Sequence, residues 1–104
     1  MRRFPWHISP YSKMIIRYFA YLRDITRKTE QHWDAPVGQL GDLLTCLSQK
    51  YGPGFRYWVL EDDGQLSHHS IVLVNGRDAR DLEGLNTALK PDDIIAIFPP
   101  VAGG

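Results

Sequence analysis

An α+β layer, with one main helix packed on one face of a mixed sheet, is the fold class this chain predicts. Three observations predict it. Two near-continuous apolar runs stand far apart, Met14 to Leu22 and Ile94 to Phe98, and such runs suit covered central strands. Between them Val37, Leu40, Leu43, Leu44 and Leu47 recur at helical spacing, with Tyr51 one turn further on. Asn75-Gly76, directly after the apolar Ile71 to Val74, is the strongest hairpin signal in the chain. The order is strand, strand, helix, strands, strand. The most apolar strands, first and last, become central neighbours, and the helix covers one face of the sheet.

Residues 1–13 contain Pro5 and Pro10 and show no period, so they read as an irregular arm. Phe4, Trp6, Ile8 and Tyr11 are available there to pack on the body. Residues 14–104 form the domain. Met14 to Leu22 is β-branched and aromatic with one charge, Arg17, which predicts a strand. Arg23 to Glu30 is polar and predicts a turn, after which Gln31, His32 and Trp33 pair back as a short strand. Asp34 is placed to cap a helix and Pro36 to sit in its first turn. Gly38 and Gly41 weaken that helix by up to about 1 kcal/mol each relative to alanine, and Gly52 with Pro53 ends it. Gly54 to Leu60 fits either a short helix or an irregular packed segment. Glu61-Asp62-Asp63-Gly64 is a turn and Ile71 to Val74 a strand. Arg77 to Arg80 returns as a weak strand. Asp81 to Leu89 is a loop with room for a helical turn, and Pro91-Asp92-Asp93 turns the chain into the last strand.

At 104 residues the chain is one domain, and a hydrophobic fraction of 43% argues against disorder. Twelve Lys plus Arg balance twelve Asp plus Glu, so no charge surplus points to nucleic acid or an anionic membrane. No apolar run approaches the ~20 residues that span a bilayer. The start lacks the apolar core of a secretory signal. A single cysteine, Cys46, excludes an internal disulfide and fits a reducing, cytoplasmic setting.

Few side chains suggest chemistry. His68 and His69 are adjacent on a loop and would point apart, and no spaced His/Asp/Glu set accompanies them, so no metal site is expected. Cys46 lies mid-helix with nothing nearby to favour a thiolate, and reads as a small core or boundary residue. Asp62-Asp63 and Asp92-Asp93 are explained by turns. No Ser/His/Asp pattern, phosphate loop or dinucleotide fingerprint is present. Arg17, the aromatic residues and Phe98 fit a docking patch on the sheet and fit a core equally well.

The last stretch, Ile94 to Gly104, is different. It opens as a strand, and Pro99 and Pro100 then end any ladder, because neither has an N–H to donate. Only Val101, Ala102, Gly103 and Gly104 follow. This is a rigid anchor, a stiff spacer and a thin probe. Gly103 and Gly104 can enter a channel too narrow for other residues. The reactive group at the tip is the α-carboxylate of Gly104. On Gly-Gly alone, a frayed end is the simpler reading.

Three runs together resemble the MoaD family: Val74-Asn75-Gly76-Arg77-Asp78, Leu82-Glu83-Gly84-Leu85 through Asp93, and Ile94 through Phe98-Pro99-Pro100-Val101-Ala102-Gly103-Gly104. Its members are ubiquitin-like sulfur carriers that form the small subunit of molybdopterin synthase. The resemblance covers about Met14 to Gly104 and is densest at the end. It implies a β-grasp fold with parallel first and last strands, and a carboxylate on Gly104 that becomes an acyl-adenylate and then a thiocarboxylate. Phe98, Pro99, Pro100, Val101, Ala102 and Gly103 carry over as the tail that partners grip. The implied partners are a MoeB-like adenylyltransferase, which uses ATP, and a MoaE-like large synthase subunit. This chain itself holds no permanent cofactor, and the catalytic side chains belong to the partners. The arm at residues 1–13, and Pro36 where Thr or Ser is expected, depart from the family. Three rivals stand beside this reading: a carrier for thiamine, cysteine or tRNA thiolation; a protein modifier joined to lysines through Gly104, as in the archaeal small modifiers; and an interaction module with an inert tail.

Overall fold

A computed structural model describes residues 13–34 and 37–99. The arm at 1–12, the expected first-turn Pro36 and the tail from Pro100 to Gly104 lie outside the described residues. Five strands form one sheet: β1 (Met14–Tyr18), β2 (Glu30–Trp33), β3 (Ile71–Val74), β4 (Arg77–Asp78) and β5 (Ile94–Phe98). Their order across the sheet is β2-β1-β5-β3-β4. β1 and β5 are parallel, with Ile16 opposite Ile95 and Tyr18 opposite Ile97. β2 runs antiparallel to β1 and β3 antiparallel to β5. This is the β-grasp arrangement, with the two most apolar strands side by side at its centre.

The register decides which face is buried. Met14, Ile16 and Tyr18 of β1, Ile95 and Ile97 of β5, and Val72 and Val74 of β3 all point to one face. There they meet Leu40, Leu43, Leu44 and Leu47 of the main helix α2 (Leu40–Tyr51) and Phe55 and Val59 of α3 (Pro53–Val59). Period 2 on the strands and period 3.6 on the helix are thus read by the same core. Gly54 to Leu60, which fits a short helix or an irregular segment by sequence, is helical to Val59, with Pro53 at its first turn. Gly52, at φ 93°, separates the two helices, a conformation that favours glycine.

Besides the strand expected from Arg77 to Arg80, which stops at Asp78 because Asp78 caps a 3-10 turn at Ala79–Asp81, two boundaries differ from expectation. The first strand stops at Tyr18 rather than Leu22. Ala20 takes a positive φ of 52°, and the predicted turn is instead a short helix, α1 (Tyr21–Thr26). Leu22 is fully buried, and its place in the core favours the helix over a longer strand. The Thr26 hydroxyl donates to the Leu22 carbonyl at 3.0 Å. The second difference is at α2, which begins at Leu40 and not near Asp34. Gln39 is its cap, in a reciprocal box with Asp42, whose carboxylate accepts the Gln39 N–H at 3.1 Å. Gly38 therefore lies before the helix. Gly41 lies within it, where a Cβ would come within 3.3 Å of Leu85, so glycine lets the 84–86 turn approach.

The hairpin turn Asn75-Gly76 has φ of 52° and 84°, as a type I′ turn requires. Asn75 also reaches the start of β5. Its amide donates to Asp93 Oδ1 at 2.9 Å, and its Oδ1 accepts the Ile94 N–H at 2.9 Å. Asp93 Oδ2 accepts the Lys90 N–H at 2.7 Å. Asp93 is only 5% exposed, so this turn carboxylate is a buried clamp between the hairpin and β5. Asp93→Ala strands two donors and should cost about 1–3 kcal/mol in urea unfolding. A loss near zero would show that the clamp is not formed.

Candidate functional site

The parallel pairing of β1 and β5 brings three segments to the end of the sheet from which the tail leaves. β1 ends there at Tyr18 and passes into α1. β5 ends there at Phe98, directly opposite Ile71, the first residue of β3. The Phe19 N–H donates to the Ile97 carbonyl at 3.2 Å. The Phe19 and Phe98 rings then stack, with centroids 4.1 Å apart and planes 8° from parallel. Phe98 is half-buried and Pro99 is buried. These two tail residues belong to the body, and the ladder ends at Phe98, as the prolines require. The rest of the expected partner-gripping tail, Pro100, Val101, Ala102 and Gly103, lies outside the described residues, as does Gly104, where reaction is expected.

The face of the sheet away from the helices carries Ile15, Ile94, Ala96, Leu73, Ile71 and Phe98, alternating with the buried set. Most are half-buried, and Ile71 is exposed. Arg17 is exposed on this face, and its Nε donates to Glu30 Oε1 at 3.3 Å. Among the described residues no second layer covers this face. The two readings of Arg17, the aromatics and Phe98 therefore separate. Tyr18 and Phe55 are core, whereas Arg17 and Phe98 edge an open apolar face that is continuous with the tail.

The buried face behind this end is hydrogen-bonded and closely packed. The Tyr18 and Tyr51 hydroxyls both donate to Gln31 Oε1 at 2.7 Å. Burial, reinforced by Tyr51 close by, pushes the Tyr18 phenol far above its ordinary range, so it stays a neutral donor. Tyr18 also packs edge-on against Tyr51 and Phe55 at 6.1 and 6.0 Å. Sequence reasoning did not single out Gln31; a lone amide in a short strand carries no local signal of what it will bond.

The other candidates lie apart from this end of β5 or on surface loops. Cys46 is half-buried on α2. Cys46→Ala should cost roughly 1 kcal/mol and leave any chemistry at the tail unchanged; a folded but inactive variant would overturn the view that the tail alone reacts. His68 and His69 are exposed loop residues. Among the described residues no three His, Cys, Asp or Glu side chains gather as metal ligands, and no helix is long and apolar enough to cross a membrane.

Known proteins share this arrangement. The chain is 39% identical over 93 residues to small archaeal modifier protein 3 of Haloferax volcanii, covering 86% of this chain and 96% of that one. It is 39% identical over 71 residues to a protein of Archaeoglobus fulgidus named "Putative sulfur carrier protein", covering 68% and 80%. The solution structure of small archaeal modifier protein 1 from Methanosarcina acetivorans superposes with a TM-score of 0.74 at 34% identity, covering 89% of this chain and 97% of the other. The family model described as "ThiS family" matches residues 16–104, which include most of β1, all of β5, the stacked Phe98 and the Gly-Gly end. The chain belongs to the ThiS family, with the ubiquitin-like β-grasp fold.

Proposed function

We propose that this chain is a small modifier of the archaeal type, activated at the Gly104 carboxylate and joined through it to lysine ε-amines of target proteins. The observation that carries the reading is structural. The sheet is bonded up to Phe98, Pro99 is buried, and a short run of small residues follows toward Gly104. Likeness to two archaeal modifiers, one in sequence and one in structure, supports it. The small-subunit role in molybdopterin synthesis, implied by the Phe-Pro-Pro-Val end, fits these relatives less well than the modifier alternative that stood beside it.

A carboxylate is a poor electrophile. An ATP-using adenylyltransferase joins the Gly104 carboxylate oxygen to the α-phosphorus and releases pyrophosphate. A lysine amine then attacks the acyl carbon, AMP leaves with the bonding electron pair, and the amine loses a proton to form an isopeptide. The partners supply the acids and bases. This chain supplies a tip without side chains and the open face around Phe98 for docking.

A second reading shares the first step. If hydrosulfide displaces AMP, or a persulfide displaces it and a thiol then reduces the resulting acyl disulfide with loss of the persulfide donor as a mixed disulfide, Gly104 becomes a thiocarboxylate. The sulfur-carrier name of the Archaeoglobus relative favours this branch. A MoaE-like subunit would then be one receiver of the sulfur. Incubation with an activating enzyme, ATP and a sulfur donor, followed by mass spectrometry, tests both. Branched peptides joining Gly104 to lysine support the modifier. Exchange of one carboxylate oxygen for sulfur, with no branched peptide, supports the carrier. Neither product after adenylation would overturn both.

A further inference from the structure

Among the described residues, the large apolar side chains that stay most exposed are Tyr21 at 45%, Tyr57 at 59% and Ile71 at 48%. All three lie at the end of the molecule where the tail leaves. Tyr21 follows β1 by three residues, and Ile71 pairs with Phe98. Tyr57 is tied to the same end by its neighbours. Tyr21 stacks on Trp58 at 5.9 Å, Trp58 meets Tyr57 edge-on at 5.1 Å, and Tyr57 stacks on His69 at 5.4 Å. His69 stands two residues before Ile71. These rings form a ledge on the helical side, separate from the open sheet face.

The ledge borders an open cleft of about 310 Å³ between α3 and the loop after it, lined by Arg56, Tyr57, Glu61, Asp62 and His69. Asp63 lines the adjoining hollow. The His68 N–H donates to Glu61 at 3.0 Å, and this bond above all holds the Glu61 carboxyl below its ordinary range. Glu61 and Asp62 thus line the cleft together with one guanidinium, Arg56, and Asp63 adds a third carboxylate just outside it. Ring faces attract cations, and a guanidinium can stack on a ring while pairing with a carboxylate. A lysine ammonium can also sit over a ring, but it lacks the planar fork that stacks on a ring and pairs with a carboxylate at the same time.

We propose that this ledge and cleft receive an arginine side chain from the partner polypeptide that takes up the tail. The identity of that partner rests on the functional reading above; the chemistry of the cleft does not. A protein that threads the tail must close over this end, and so meets the rings and carboxylates beside it.

The test is an amide NMR titration of the full chain with a short peptide carrying two arginines. The control is the same peptide with citrulline, the uncharged isostere. Saturable shifts at Arg56 to Asp63 and at His68 and His69 are expected with arginine only, and they should weaken with added salt. Tyr57→Ala should weaken binding about two- to fivefold, the scale of an exposed cation–ring contact, and Tyr57→Phe should restore it. Asp62→Asn with Asp63→Asn should flatten the salt dependence. Tyr57 is mostly exposed, so neither ring variant should unfold the chain, and a melt checks this. Equal binding of the citrulline peptide, shifts confined to the open sheet face, or unchanged affinity in Tyr57→Ala would overturn the proposal. Failure of the tail to react with lysine or sulfur is read in a separate assay and leaves this titration unaffected.

Discussion

Deleting Gly104 should reduce formation of the acyl-adenylate and every product derived from it at least a hundredfold, with no change in thermal stability. The deletion draws the carboxylate back by up to ~3.6 Å, one extended residue. About 1 Å of misplacement can already cost a hundredfold in a reaction that needs near-contact alignment. Appending one alanine should fail as well, because the Gly104 carboxylate becomes an amide and a methyl group enters the channel. Stability should be unaffected because the paired and buried body already closes at Phe98 and Pro99. The check is mass spectrometry of each variant after incubation with activating enzyme and ATP, beside a melt of the same samples. Products formed at the parental rate by either variant would remove Gly104 as the reacting residue under both the modifier and the carrier reading.

Phe55→Ala should be the most damaging single truncation of the core, at about 3–5 kcal/mol. Phe55 is fully buried. Its ring lies 6.0 Å from Tyr18 on the central strand and 5.6 Å from Tyr51 at the end of α2. It therefore joins α3, α2 and the sheet at one point, and alanine would leave a cavity that three elements line. Small domains are stable by about 5–15 kcal/mol in total, so the variant should be close to unfolding. By the usual scale of 4–8 °C per kcal/mol for a domain of this size, its melting point should fall by about 12 °C or more. The loss should appear also as an Asn75-independent drop in the urea midpoint, since the Asn75–Asp93 clamp lies at the opposite end of β5. A Phe55→Ala protein within 1 kcal/mol of the parent would show that α3 does not pack on Tyr18.

What the sequence determined by itself is what repeats locally. The apolar runs at Met14–Tyr18 and Ile94–Phe98, the helical period from Leu40 to Leu47 and the Asn75-Gly76 turn each carry their signal within a few residues. The class, the central pair of strands and the main helix followed from them. Two prolines followed by small residues and a Gly-Gly end are a covalent property that the sequence states without neighbours. Only the tertiary structure decided the rest. Tyr21–Thr26 has the composition of a strand running into a turn, and burial of Leu22 with the positive φ of Ala20 makes it a helix. Asp34 is placed by sequence to begin α2, and reciprocal bonds between Gln39 and Asp42 start it at Leu40 instead. Asp93 has a turn residue's sequence context, but Asn75, eighteen positions away, makes it a buried clamp. The aromatic ledge was invisible for the same reason. Its rings come from positions 21, 57, 58 and 69, and only the parallel pairing of β1 with β5 and the packing of α3 bring them to one end. Contacts between segments far apart in sequence depend on chain closure around a shared core, and no window of neighbouring residues contains that information.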